Sequence, residues 1–155
     1  MTPFTMEKAG DDAVRICGVD GVAYELFRDV PEILRHRSDP RVRERLFPDI
    51  MSDDEEASSE WHETMDPELE HLFASAEEIV GRDLATIQDG VIEISAEHVP
   101  AWISALNQAR IILSEIRRAD EIAMEFDEPD PGKPEDPDAV RMFFYQVVLR
   151  EFVIL

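Results

Sequence analysis

The sequence predicts a mainly α-helical fold, a single-domain bundle of about five to six helices with a small two-stranded β ribbon. Three observations predict it. Apolar residues recur at threes and fours over long stretches, most densely at 99–126, whereas alternation of the strand type is confined to 13–19 and 91–94. A chain of 155 residues is one domain in size and can bury roughly two thirds of its unfolded surface in one core. With 44% hydrophobic residues beside 33% charged ones, it does not lack the side chains such a core needs.

Residues 1–12 carry few large apolar groups and contain Gly10-Asp11-Asp12, so they read as a flexible N-terminal arm to a single helical domain at 13–155. Ala13-Val14-Arg15-Ile16-Cys17-Gly18-Val19 alternates with β-branched enrichment, as a short strand does. Asp20 caps the next helix, through Tyr24, Leu26 and Phe27, in which Pro31 is expected to produce a kink before Ile33 and Leu34. Asp39-Pro40 has the N-cap and N1 chemistry of a further helix start, with Val42, Leu46 and Phe47 as its apolar face and Pro48 as its stop. Ser52-Asp53-Asp54-Glu55 fits a capping box, opening a helix with Ala57, Trp61 and Met65 on one face. At Asp66-Pro67 the helix is expected to restart. Leu69, Leu72, Phe73, Ala76, Ile79, Val80, Leu84 and Ile87 then form the cleanest amphipathic pattern, closed by Asp89-Gly90.

Val91-Ile92-Glu93-Ile94 is the second strand, followed by a helix entrance at Ser95-Ala96-Glu97-His98. Because both strands lead within a few residues into a capped helix, they are expected to pair, antiparallel, and to set the two following helices side by side. The helix at 99–126 carries Val99, Trp102, Ile103, Leu106, Ala109, Leu113 and Ile116 on its main stripe, and Ile111 and Ile112 widen it until less than half the circumference is polar. It is expected to be the post around which the chain packs, gripped by the helix at 67–88 and by the last helix. Repeated Pro makes 127–137 an acidic, Pro-rich loop. Val140, Phe143, Phe144, Val147, Val148 and Phe152 then form a helix that is apolar almost all round and ends in Val153-Ile154-Leu155.

The net charge of -21 and a pI near 4.3 argue against binding to a phosphate backbone, which needs a continuous basic face, so no nucleic-acid partner is expected. Cys17 is the single cysteine and cannot form an internal disulfide. The start lacks the basic and apolar pattern of a signal peptide and no apolar run is long enough to cross a bilayer. These features point to the cytoplasm and to no membrane partner. Positive charge is concentrated in Arg28, Arg35, Arg37, Arg41, Arg43 and Arg45, whereas 49–70 holds acids without one Lys or Arg. The plain expectation is that the first run answers the second.

No catalytic constellation is spelled out. Glu68 and His71 have the Glu-x-x-His spacing that sets a carboxylate and an imidazole on one helix face, but the second copy that a carboxylate-bridged metal site needs is missing from the sequence. His62-Glu63 is not a zinc-protease motif, because Asp66 stands where the second histidine belongs. There is no Gly-x-Ser-x-Gly elbow and no Gly-rich phosphate loop, and no cofactor is expected. Arg110 is the anomaly, since the row Ile103, Leu106, Arg110, Leu113 carries a guanidinium into an apolar stripe. It requires a buried carboxylate, or it marks a cleft with Trp102 and Asn107 as neighbours.

Arg45-Leu46-Phe47-Pro48-Asp49, the tract at 60–87, the block at 101–113 with Leu106-Asn107-Gln108-Ala109-Arg110 at its centre, and the apolar last helix together cover over half the chain. In these features the sequence resembles an uncharacterised bacterial, mainly actinobacterial, domain-of-unknown-function family often encoded near the Clp protease adaptor. The resemblance implies a cytoplasmic helical protein with a link to regulated proteolysis, and no established activity. The residues themselves favour a non-enzymatic interaction or regulatory protein over an enzyme. Phe144, Val148, Phe152 and Leu155 are the expected interface, and a homo-oligomer or another protein is the expected partner. Two alternatives remain open: a metal-dependent enzyme using Glu68 and His71, and an acidic mimic of nucleic acid whose carboxylates stand where phosphates would.

Overall fold

The computed structural model describes residues 4–49, 51, 53–123 and 137–155. The chain runs through β1 (Thr5–Lys8), β2 (Ala13–Cys17), α1 (Gly21–Leu34), a 3-10 turn (Arg35–Ser38), α2 (Pro40–Leu46), α3 (Glu55–Leu84), β3 (Ile92–Ser95), a second 3-10 turn (Ala96–His98), α4 (Val99–Ala123) and α5 (Pro137–Ile154). The fold is therefore mainly α with one small antiparallel sheet, as its periodicities require.

The sheet has the order β1-β2-β3, with Val14 opposite Ile94 and Met6 opposite Ile16. Val14, Ile16, Ile92 and Ile94 turn one face into the core, while on the other face Arg15 reaches Glu93 at 3.5 Å and Glu7 at 3.6 Å. The antiparallel pairing of β2 with β3 agrees with the sequence, and α1 and α4 lie side by side behind them, Phe27 meeting Trp102 edge to face at 6.0 Å. The two-stranded ribbon is corrected to three strands. Thr5–Lys8, inside the stretch read as a flexible arm, pairs along β2, and Phe4 is buried against Phe144 at 5.3 Å and Phe27 at 6.1 Å. One buried aromatic ring fixes a segment whose composition alone is polar.

Local chemistry explains the helix boundaries. Asp39 caps α2 by accepting from the Arg41 backbone N–H at 2.9 Å, with Pro40 at the first helical position. Asp20 occupies the N-cap of α1 without a side-chain bond, and that helix continues unbroken through Pro31. Asp54 caps α3, accepting from Glu56 N at 3.1 Å and Ala57 N at 3.2 Å, while Ser52, which opened the expected capping box, lies outside the described residues. The restart expected at Asp66-Pro67 does not occur, and α3 is one helix of 30 residues. Proline has a helical φ and costs one N–H; here the carbonyl it leaves unmatched belongs to Glu63, and both residues are on the exposed face. At Asp89-Gly90 both residues have positive φ, 53° and 73°, the two-residue reversal in which Gln88 and Val91 exchange backbone bonds at 3.0 and 3.2 Å.

The core post is α4, which packs against α1, α2, α3 and α5, with Trp102, Ala105, Leu106, Ala109 and Ile112 fully buried. From the other helices Phe27, Val30, Leu34, Val42, Val80, Tyr145 and Val148 close around it. The Tyr145 hydroxyl, at the centre of this packing, donates to the Leu26 carbonyl at 2.6 Å, and burial pushes its pKa above the ordinary phenol range. α3 contributes along the row Leu69, Phe73, Ala76, Val80 and Leu84; Leu72, expected on that face, is 61% exposed because it lies about 100° away from Phe73. Apart from Pro137, which opens α5, the Pro-rich loop expected at 127–137 lies outside the described residues.

Candidate functional site

The arginine segment and the acidic helix meet. Arg37 bonds Glu70 at 2.8 Å and lies 3.5 Å from Glu77, Arg35 is 3.7 Å from Glu77, and Arg43 is 3.5 Å from Asp66. His62 Nδ1 lies 3.0 Å from Asp66, and Trp61 Nε1 donates to the Pro48 carbonyl at 3.2 Å. Arg43 also lies over the Phe47 ring, 4.4 Å from its centroid. These contacts fasten the acid-rich half of α3 to α2 and the 3-10 turn before it. Most of this basic run is thus structural: Arg28 and Arg41 pair locally with Glu25 and Asp39.

A buried polar knot ties α3 to α4. Asp83, 7% exposed, accepts from Trp102 Nε1 at 2.8 Å and meets His98 Nδ1 at 3.0 Å, while its own carbonyl accepts from the Thr86 hydroxyl at 2.6 Å. His98, at the end of the 3-10 turn, and Trp102, in the first turn of α4, are four residues apart and each present one ring nitrogen to the same carboxylate. Sequence reasoning passed over Asp83, although the buried row Phe73, Ala76, Val80 continues onto it at helical spacing. An acid on an apolar stripe, like the guanidinium of Arg110, is the signal that points to it.

Arg110 lies elsewhere. It is half-buried and lines a groove of about 420 Å³ between the end of α2, the middle of α4 and the start of α5, together with Arg45, Arg117, Glu115, Met142 and Phe143. Among the described residues neither Arg45 nor Arg110 has a carboxylate in ion-pair range. Trp102, Asn107 and Arg110 do not converge: Trp102 is buried on Asp83, and Asn107 is exposed one turn before Arg110. Glu68 and His71 are both exposed, and among the described residues no three His, Cys, Asp or Glu side chains are placed to hold a metal ion.

On α5, Phe144, Val148 and Phe152 point into the chain's own core and Leu155 is half-buried. The helix is apolar all round, so its opposite side leaves Val140, Phe143, Val153 and Ile154 exposed, Phe143 at 70%. A second cavity, about 340 Å³, lies across α4 between α1 and α5, where Arg141 bonds Asp29 at 3.1 Å and Asp138 at 3.0 Å above Ile33, Ile112 and Ile116. Arg141 is thus matched by acids of the chain itself. No helix among the described residues is long and apolar enough to cross a membrane.

Helices wrapped around a central apolar post, with a three-stranded flank and an arginine groove, define a helical domain without a visible catalytic set among the described residues. The chain belongs to a family known as a domain of unknown function (DUF2017), whose profile matches residues 7–150. No curated protein and no solved structure matches it.

Proposed function

We propose that this chain is a cytoplasmic, non-enzymatic interaction protein that associates with a second copy of itself through the outward face of α5. The observation that carries this reading is the group Val140, Phe143, Val153 and Ile154, exposed on the side of a helix whose other side is already committed to the core. Apolar side chains grouped in this way mark an association surface, whereas scattered ones need no explanation. Phe143 and Ile154 stand 70% and 65% exposed, so each has most of its surface to gain by burial. The charge of -21 opposes self-association at long range, but it is screened beyond about 8 Å at physiological salt, and contact across an apolar row is shorter than that.

Light scattering on the full chain across a concentration series tests the proposal. A mass that rises from one copy to two supports it. A single-copy mass throughout, at physiological salt, contradicts it.

A further inference from the structure

We propose that the cavity across α4 between α1 and α5 is a binding site for a small amphipathic amine, an ammonium group on a compact hydrocarbon body. Size and lining come first. At about 340 Å³ the cavity falls in the range of small-molecule sites, roughly 300 Å³ and upward, and its floor is apolar, made by Ile33 of α1 and by Ile112, Leu113 and Ile116 of α4. Ile116 is only half-buried, so a hydrocarbon seated there would cover apolar surface that the chain's own packing leaves wet. Above the floor, Asp29, Glu32 and His36 recur with Ile33 at threes and fours along α1, which sets them on the face of that helix that borders the cavity.

Charge then selects the ligand. Arg141 is held by Asp29 at 3.1 Å and by Asp138 at 3.0 Å, two carboxylates on one guanidinium, and Arg41 is held by Asp39 at 2.8 Å. The Glu32 carboxylate, by contrast, has no ion-pair or hydrogen-bond partner among the described residues. An unmatched carboxylate on a wall whose guanidinium groups are already engaged recruits a cation and repels an anion. A bare metal ion fits poorly: among the described residues no three ligating side chains are placed to hold one, and it would leave the apolar floor uncovered. An organic cation answers both features at once. The site is also distinct from the proposed self-association face. Arg141 stands about 160° around α5 from Phe143, on the row that runs through Tyr145, Val148 and Phe152 into the core, and the cavity wall includes none of Val140, Phe143, Val153 and Ile154.

Saturation-transfer NMR on the full chain at neutral pH, with cyclohexylamine, cyclohexanol and cyclohexanecarboxylate as probes, tests the assignment. The probes share a ring and differ in the charge they carry. Cyclohexylamine should bind about fivefold more tightly than cyclohexanol, the worth of one ion pair at the edge of a cavity, and the carboxylate more weakly than the alcohol. Glu32→Gln should bring amine and alcohol to within about twofold of each other. Glu63→Gln removes an exposed acid of α3 outside the cavity and should leave the preference intact, which separates the site from general attraction to a chain of charge -21. Ile116→Trp, checked by circular dichroism for an unchanged fold, should abolish binding by filling the floor. Glu32 is exposed and glutamine has its shape, so that arm of the test stands whether or not Ile116→Trp folds. No binding of cyclohexylamine to the unmodified chain, equal affinity for amine and alcohol, a preference for the carboxylate, or full binding to a folded Ile116→Trp would overturn the proposal. So would a preference that falls as far in Glu63→Gln as in Glu32→Gln.

Discussion

Asp83 holds two ring nitrogens on one buried carboxylate, Trp102 from the first turn of the helix that centres the fold and His98 from the 3-10 turn that leads into it. Removing the acceptor leaves the Trp102 N–H buried without a partner, so Asp83→Ala should lower unfolding stability by about 3 kcal/mol. Asp83→Asn keeps one acceptor oxygen and should cost less. Urea unfolding followed by Trp fluorescence measures both, and equal losses would mean that the carboxylate charge, not its hydrogen bonding, is what the site uses. Asp39 makes a different prediction. Its carboxylate is held at about 2, below its usual 3.8, by the Arg41 side chain first and the Arg41 backbone N–H second. A depressed carboxylate takes up protons more readily in the unfolded chain, so the stability of the α2 cap is complete above about pH 4 and is lost as pH falls toward 2. Asp39→Asn should flatten that part of the acid-unfolding curve and lower neutral-pH stability slightly, because asparagine still caps but no longer carries the charge that Arg41 pairs with.

At the scale of elements, the turn between α3 and β3 rests on backbone conformation. Gly90 has φ 73° and its carbonyl accepts from Val19 N at 2.8 Å, tying the turn to the end of β2. A Cβ there would meet Val19 at 3.6 Å, an ordinary contact, so Gly90→Ala should cost about 1 kcal/mol from the left-handed backbone alone. A loss several times larger in thermal unfolding would mean that the turn cannot keep its shape. Helix positions, the β2–β3 pairing and the central place of α4 were legible in the sequence, because each follows from a repeated local period. The third strand was not, since its placement depends on Phe4 finding Phe27 and Phe144 across the chain. The continuity of α3 was also hidden: whether a proline breaks a helix depends on which side its orphaned carbonyl faces, and that is set by packing.

The whole molecule divides its charged and apolar surplus by location. The basic run is largely paired with acids of α3, leaving Arg45 and Arg110 without a carboxylate in ion-pair range among the described residues, and exposed apolar surface is gathered on α5. The sequence pointed to the last helix as an interface but assigned it to Phe144, Val148, Phe152 and Leu155. A helix apolar on every side does not declare which side the core will take, and here the first three of those residues went inward. That leaves Phe143 as the centre of the proposed self-association face. The most direct measurement is sedimentation equilibrium of the unmodified chain beside Phe143→Asp, with Val22→Asp, an exposed apolar site on α1, as the control. A reversible dimer is expected for the unmodified chain and the control, and a monomer for Phe143→Asp. A dimer that survives Phe143→Asp, or a monomer in all three, would contradict it.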